Sequence, residues 1–504
     1  MSSLNSAFEK LAKGAGLSFI GQIISTGFKY FTQVILAWLL GVELFGLYTI
    51  GLAIYQLAEL FSRMGLEIGA VRYVAIYFDR NDDRKLKGTL LLALGLPIFS
   101  GLLVGILLFL SADAIANQIF NAPRLTAILQ IFAVAVPLGS CVTVGAFATT
   151  GFQVINYRVY VWDILLPLIN LIFAILLCQM GLGVEGAVFA WLIAVTLTTA
   201  TTLYYVQKLF PSVFSRQPKP IFEAKQLLSF SLPLSFGTLL WLVLIWTDIL
   251  MLGYFRPPAE VGIYRAASQS AFLMILFTRS LVTIFSPMIA SLYGRGNLAE
   301  ISQLFQTAAR WNLTLTLPLF LILTISSRDI LQLFGTEFVP GWVSLVILSI
   351  GQLTRSGAGS LAVQMLTMSG HQNLKLYGDL ASAGVNIGLN LWLIPQWGAT
   401  GAAIATAVSI AGVNSLQVYQ VHRVLGVKAY GLNFLKPIVA GVVAFGCGMA
   451  LQTWVGQLHF LLAAGITAVV VTLVYSALLI GMKLDKSDQV LLNKISNKMG
   501  FIKG

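Results

Sequence analysis

Charge is what this sequence is short of. Only 10% of its 504 residues are Asp, Glu, Lys or Arg, where a water-soluble chain carries about a quarter. So few charges cannot cover a soluble particle of this size, and the remaining surface must face lipid. Cysteine and histidine are scarce as well. Cys141, Cys178 and Cys447 lie far apart in apolar stretches, and His371, His422 and His459 are isolated. That excludes a disulfide framework and any metal-ligand spacing, so neither a metal nor a cofactor is expected. No phosphate-binding Walker pattern is present, so the chain is not expected to be an ATPase. The first residues, MSSLNSAFEKLAKGAG, lack a cleavable signal pattern. The first membrane helix is expected to serve as a retained insertion signal.

Apolar residues are abundant, at 58%, with 12% aromatic and a mean hydropathy of +0.86. A membrane-spanning helix needs roughly 20 consecutive apolar residues. Fourteen stretches qualify, at about 16–40, 44–68, 89–111, 125–148, 158–179, 184–206, 227–252, 262–291, 308–326, 341–368, 376–395, 399–421, 434–454 and 459–482. The fold class is therefore all-α and integral to a membrane. The net charge of +12 sits in short loops between apolar stretches, which speaks against nucleic acid as a partner. With the N-terminus cytoplasmic, 23 of the 31 basic residues fall on that side and four (Arg124, Arg256, Arg265 and Arg328) on the other. This asymmetry predicts that both termini are cytoplasmic. The longest loop, 207–226, is basic and contains proline, and it reads as a cytoplasmic linker.

The two halves repeat. Gly46-Leu47-Tyr48 and Gly262-Ile263-Tyr264 are 216 residues apart, and the same offset relates Arg63 to Arg279, Tyr77 to Tyr293, Asn81 to Asn297, Asp163 to Asp379 and Asn170 to Asn386. A slip of one residue relates Gly186-Ala187 to Gly401-Ala402. Polar identities in register over such a length indicate duplication. Six helices bring the chain back to its starting side, so the repeat is parallel, about an axis along the membrane normal. The expected organisation is an N-lobe at 1–206, the linker at 207–226, a C-lobe at 227–425, and two further helices with a basic tail at 426–504. Such architectures place a cavity between the halves and work by rocking them.

Four basic residues lie inside predicted spans: Lys29, Arg63, Arg279 and Arg355. A charge at the bilayer centre costs ~3 to more than 10 kcal/mol, so it persists where it lines a cavity or meets a partner. The functional expectation is a cationic site for a phosphate or diphosphate, whose oxygens suit the guanidinium fork. The structural alternative is internal pairing, since Glu59, Arg63 and Glu67 are spaced to stack on one helix face. Arg355 precedes Ser-Gly-Ala-Gly-Ser (356–360), where glycines either loosen the helix toward an anion or allow close packing. Gly101/Gly105 and Gly384/Gly388 are further small-residue packing signals. Glu59, Glu67 and Asp248 are the candidates for a coupling-ion or gating role, Asp248 with pairing to Arg256 or Arg265 as its alternative. Asp163 and Asp379 are expected to cap or pair, with Arg158 and Lys375 nearby. Trp38, Trp162, Trp342, Trp397 and Trp454 fall near span ends, as interfacial tryptophans do, while Trp241 and Trp246 lie deeper, where a sugar path is one reading.

The stretches LLGVELFGLYTIGLAI and GLEIGAVRYVA, the loop with DDRKLK, and later TDILMLGYFRPPAEVGIYRAASQ and PQWGATGAAIATAVS resemble the polysaccharide-biosynthesis (Wzx-type) flippases of the multidrug/oligosaccharidyl-lipid/polysaccharide exporter superfamily. The resemblance covers nearly the whole chain. It implies transport of a polyprenyl-diphosphate-linked oligosaccharide across the cytoplasmic membrane by alternating access, often coupled to a cation gradient. It also implies that Lys29, Arg63, Arg279 and Arg355 contact the diphosphate, and that a polymerase or glycosyltransferase is a possible partner. Lipid II flippases, also with fourteen helices and a cationic cavity, remain open. Drug exporters of the superfamily have twelve helices and acidic sites, which fits less well. A membrane enzyme would need an acid/base pair or a large outer loop, and the outer loops are short, without clustered His, Asp or Glu.

Overall fold

The computed structural model describes residues 2–482; side chains are described from Ile24 onward, except at 241, 244, 280, 284, 287 and 432. The basic tail from Lys483 and the side chain of Trp241 lie outside the described residues. Among these the structure is helical throughout. The main elements are α1 (Ser2–Arg63), α2 (Leu66–Asp79), α3 (Asp83–Ala114), α4 (Leu125–Thr150), α5 (Leu166–Leu177), α6 (Gly183–Leu209), α7 (Ala224–Phe255), α8 (Pro258–Phe272), α9 (Ile275–Gly294), α10 (Leu298–Ile325), α11 (Trp342–Thr354), α12 (Ser360–Met368), α13 (Gln372–Leu425), α14 (Leu435–Val455) and α15 (Phe460–Gly481).

Among the described residues, nine continuous helical stretches are long and apolar enough to cross a bilayer. Three of them run 54 to 56 residues, too long for one span at 1.5 Å per residue. Each breaks at a glycine: Gly41 (φ 72°), Gly181 with Gly183, and Gly398. Divided there, and with the bent stretches Ala224–Phe255 and Pro258–Thr283 counted once each, the described residues supply the fourteen expected spans. Apolar side chains that a soluble protein would bury stand exposed along them, such as Leu107 and Leu110 on α3. Trp38, Trp397 and Trp454 are likewise exposed near helix ends.

The repeat is visible in the backbone. Gly183 (φ 54°, ψ −133°) and Gly398 (φ 53°, ψ −130°) turn the chain identically between spans. They lie 215 residues apart, while Leu177 and Leu393, which abut Gly186 and Gly401 respectively, keep the offset of 216. The extra residue of the first half sits in the wide turn Cys178–Leu182. One sequence match does not survive as drawn. Asp82 caps α3 by accepting from Lys85 N at 3.1 Å, and Asn297 caps α10 by accepting from Glu300 N at 3.2 Å. Asn297 is thus the counterpart of Asp82, and left-handed Asn81 is the counterpart of Gly296.

By contacts the chain divides into two compact units, one ending at Ala266 and one beginning at Ala267. This division falls within α8, because α7 packs on α1 and α2. It is a grouping by packing and does not follow the lobe boundaries expected from the repeat.

In the first unit α3 lies against α4 through Gly101 and Gly105. A Cβ on Gly101 would stand 2.5 Å from Pro137 Cα, and one on Gly105 2.6 Å from the Ala133 carbonyl. The second glycine pair behaves differently: Gly384 and Gly388 have nothing within 4 Å of an added Cβ, because they lie on an exposed face of α13. The linker is docked on the first unit. Buried Lys87 donates to the carbonyls of Ser215 and Pro218, and Ile221 N donates to Arg84 O. Glu223 accepts from the Tyr77 hydroxyl and pairs with Lys85 at 2.8 Å.

Candidate functional site

In the first unit, α1 stops at Arg63 because Met64 (φ 52°) and Gly65 (φ 71°) turn left-handed. That conformation costs a methionine but not a glycine. Close packing fixes it: a Cβ on Gly65 would lie 2.3 Å from the Ser231 carbonyl, and one on Gly69 2.0 Å from Ser231 Oγ. Arg63 therefore sits at a helix C-terminus, where a positive charge is favoured. Its Nε lies 3.8 Å from Glu59 Oε1, which also accepts from the Thr143 hydroxyl at 2.7 Å. Both partners of the ion pair are buried.

The expected stacking of Glu59, Arg63 and Glu67 on one face holds only for the first two. The break after Arg63 rotates Glu67 off that face, and its Oε2 is buried without a hydrogen-bond partner among the described residues. Lys29 is exposed on α1 and engaged within the protein.

Asp248 is also buried in the first unit. It accepts from the Tyr264 hydroxyl at 2.6 Å. Arg265 stacks over Trp246, with its guanidinium carbon 4.7 Å from the ring centroid. Trp246 is 6% exposed, so it packs against a cation and does not line an open sugar path.

In the second unit Arg279 and Arg355 lie within electrostatic range of each other. Arg355 opens a wide turn, residues 355–359, in which Gly357 leaves helical geometry (ψ −117°). The two glycines after Arg355 play different parts. Gly357 breaks the helix, while Gly359 packs so tightly that a Cβ would lie 2.3 Å from Asn414 Oδ1. Asn312 of α10 steadies the break, donating to Gly357 O at 3.5 Å and accepting from Thr278 at 3.1 Å; Thr278 also meets Ser356 at 3.3 Å.

Arg279 is exposed, and its charge reaches Arg355 electrostatically. Neither forms a salt bridge among the described residues. Asp379, the acidic group within electrostatic range of Arg355, is held by Lys375 at 2.7 Å, as expected for a structural pair. The second unit thus holds two like charges within electrostatic range of each other, with Asp379 the carboxylate in range of Arg355.

Beside them runs an apolar groove of about 720 Å³ between α10, α11, α13 and α14, lined by Leu317, Leu353, Thr354, Gly357, Phe434 and Val442 among others. Sequence reasoning missed Thr143 and Asn312. Asn312 was signalled only as an amide within an apolar run. Among the described residues no cluster of three or more His, Cys, Asp or Glu is placed to hold a metal.

A family model described as "Polysaccharide biosynthesis protein" matches residues 11–293. An uncharacterized membrane protein of Methanocaldococcus jannaschii is 24% identical over 86% of this chain and 88% of its own. The probable low-salt glycan biosynthesis flippase Agl15 of Haloferax volcanii is 22% identical over 56% of this chain and 58% of its own. Among solved structures, a lipid II flippase, MurJ, in an inward closed conformation matches with a TM-score of 0.71 at 16% identity, covering 93% of this chain and 98% of the other. That likeness is one of fold.

Proposed function

Because the chain belongs to the polysaccharide biosynthesis protein family, a multi-pass membrane family with flippase-named relatives, we propose that it carries a polyprenyl-diphosphate-linked oligosaccharide across the cytoplasmic membrane. The observation that carries this reading is that the guanidinium groups of Arg279 and Arg355 lie within electrostatic range of each other, neither in a salt bridge among the described residues. Two like charges within range of each other favour an anion, and a diphosphate offers two charges and a set of oxygens matched to guanidinium. The groove beside Thr354 and Gly357 supports a ligand whose other end is a long apolar chain. Arg63 and Lys29 in the first unit are the further diphosphate contacts of this proposal.

The chain acts as a transporter and not as an enzyme in this reading. The lobes 1–206 and 227–425 expose the site alternately to each side, with both termini cytoplasmic. Glu59, Glu67 and Asp248 are the carboxylates through which a cation gradient would act. A membrane potential supplies ~2.3 kcal/mol per charge per 100 mV to such a cycle.

The test is flipping of a fluorescent polyprenyl-diphosphate oligosaccharide in proteoliposomes, with lipid II as a parallel substrate. Arg279→Ala is expected to abolish flipping while leaving folded protein at normal abundance. Full flipping by that variant would remove Arg279 from the site. Flipping of lipid II in preference to the oligosaccharide would assign the peptidoglycan precursor instead.

A further inference from the structure

We propose that the crossing of α1 and α8 at Gly46 and Gly262 is the gate closing the end of the helices remote from the linker. It opens and re-forms in each transport cycle. The inference rests on the transporter reading and adds the place where one side of the path is sealed.

The contact is reciprocal. A Cβ on Gly46 would lie 1.8 Å from the Pro258 carbonyl oxygen and 3.2 Å from Gly262 N. A Cβ on Gly262 would lie 2.3 Å from the Val42 carbonyl oxygen and 3.3 Å from Gly46 N. Val42 and Pro258 are counterparts in the repeat, as are Gly46 and Gly262. Position 46 therefore touches 258 and 262, while 262 touches 42 and 46. That is the pattern made by one surface meeting a copy of itself about a twofold axis. Here both copies belong to one chain, and every residue concerned precedes Ala267.

The pseudo-twofold axis of the repeat thus passes through a contact of backbone on backbone. Helices that interlock by side-chain knobs resist separation, because each knob must leave a filled hole. Two glycine surfaces have no knobs, so they close without a gap and part without unpacking.

The layer beneath has the character of an occluded vestibule. Within one turn of the crossing, Tyr48, Tyr264 and Arg265 are 1%, 2% and 7% exposed, and Asp248 of α7, which accepts from Tyr264, is 2% exposed. These polar and charged groups lie near helix ends, where water is ordinarily available to them. The glycine seal keeps it out, and the groups satisfy one another, Tyr264 with Asp248 and Arg265 with Trp246. Opening the crossing would wet this layer and replace those contacts with water.

The test uses the full chain in nanodiscs, with Cys141, Cys178 and Cys447 replaced by serine and spin labels at the counterpart positions Glu43→Cys and Ala259→Cys. Distances are measured by double electron–electron resonance with and without polyprenyl diphosphate. Two populations are expected in the glycine-intact protein, a short one for the crossing and a longer one for the open gate. Gly46→Val or Gly262→Val is expected to deplete the short population about 10-fold. A single population under every condition overturns the proposal, and this arm requires no glycine variant to fold.

A second readout is a membrane-impermeant maleimide reacting with Thr49→Cys, which replaces a fully buried residue next to Tyr48. Its labelling is expected to rise about 10-fold with Gly262→Val, and an unchanged rate overturns the proposal. Neither readout involves transport of a glycan. A chain that moves no glycan lipid but shows both populations keeps the gate and loses the substrate assignment.

Discussion

Thr143 and Arg63 converge on one oxygen of Glu59, the hydroxyl donating across 2.7 Å and the guanidinium standing 3.8 Å away. All three side chains are buried. Each ion gave up its hydration to enter this site, and removing one partner from a buried pair costs about 3–5 kcal/mol through the charge left behind. The two partners are not equivalent. Arg63 also faces the carbonyl end of α1, which compensates a positive charge. Glu59 without Arg63 retains only Thr143. Arg63→Ala is therefore expected to lower the thermal midpoint in nanodiscs more than Glu59→Gln, and the double variant is expected to recover part of that loss. The reverse order would show that Arg63 is not neutralised by Glu59.

Arg355 presents the opposite case. Its charge feels that of Arg279, and the opposing charge in range is Asp379, which Lys375 already holds at 2.7 Å, so the compensation within the protein is weak. Arg355→Leu is expected to raise the thermal midpoint, as replacement of a poorly compensated, half-buried charge by an apolar group does by up to about 1–4 kcal/mol. The same variant is expected to lose flipping. Thermal unfolding and proteoliposome transport measured on one preparation check both. A fall in stability would show that Arg355 supports the helix break at Gly357 and does not await a ligand.

The number of spans and the register of the repeat were legible because both rest on periodic features, runs of apolar residues and polar identities at a fixed offset. The Arg63–Arg279 correspondence came from the same signal. The places where helices break were not legible. Met64 adopts a left-handed backbone that its side chain disfavours, and it does so because α7 presses Ser231 against Gly65 and Gly69. No local pattern announces that pressure, so Glu67 was expected on the face of Arg63. The repeat match at Asn81 slipped by one residue because the capping roles are not visible in the letters: the match of Asn81 with Asn297 is one of letters, while the match of Asp82 with Asn297 is one of hydrogen bonds. Thr143 and Asn312 matter through neighbours about 84 and 45 residues away in the chain, a distance at which sequence alone carries no pairing signal.

The linker offers a pH test. Lys85, and after it Tyr77, holds the Glu223 carboxyl below the usual glutamate range by hydrogen bonding to its charged form. A carboxylate with a lowered folded-state value contributes stability that is fully present above the ordinary range and is lost as pH falls through the lowered value. Docking of 210–223 is thus expected to be constant from neutral pH down to about pH 5 and to weaken only below about pH 4. A spin label at exposed Phe222→Cys would report this as a change from restricted to mobile line shape. Glu223→Gln is expected to be more mobile at pH 7 and to lose the acid transition. A transition centred near pH 6 would assign the docking to another group.

Two pairs of glycines that look alike in sequence make opposite predictions. Gly101 lies where α3 touches α4, and an added Cβ would stand 2.5 Å from the Pro137 Cα, a backbone atom that cannot swing aside. Gly101→Val is expected to push the helices apart and cost about 1–3 kcal/mol, the range for overfilled packing. Gly384 has open space at the same position, so a methyl group there meets nothing and only the conformational freedom of glycine is lost. Gly384→Ala is expected to stabilise the helix by up to about 1 kcal/mol. Thermal midpoints measured side by side decide the matter. Loss of stability in Gly384→Ala comparable to that in Gly101→Val would mean that the face of α13 around Gly384 is packed against something in the membrane, and that its exposure does not represent the working protein.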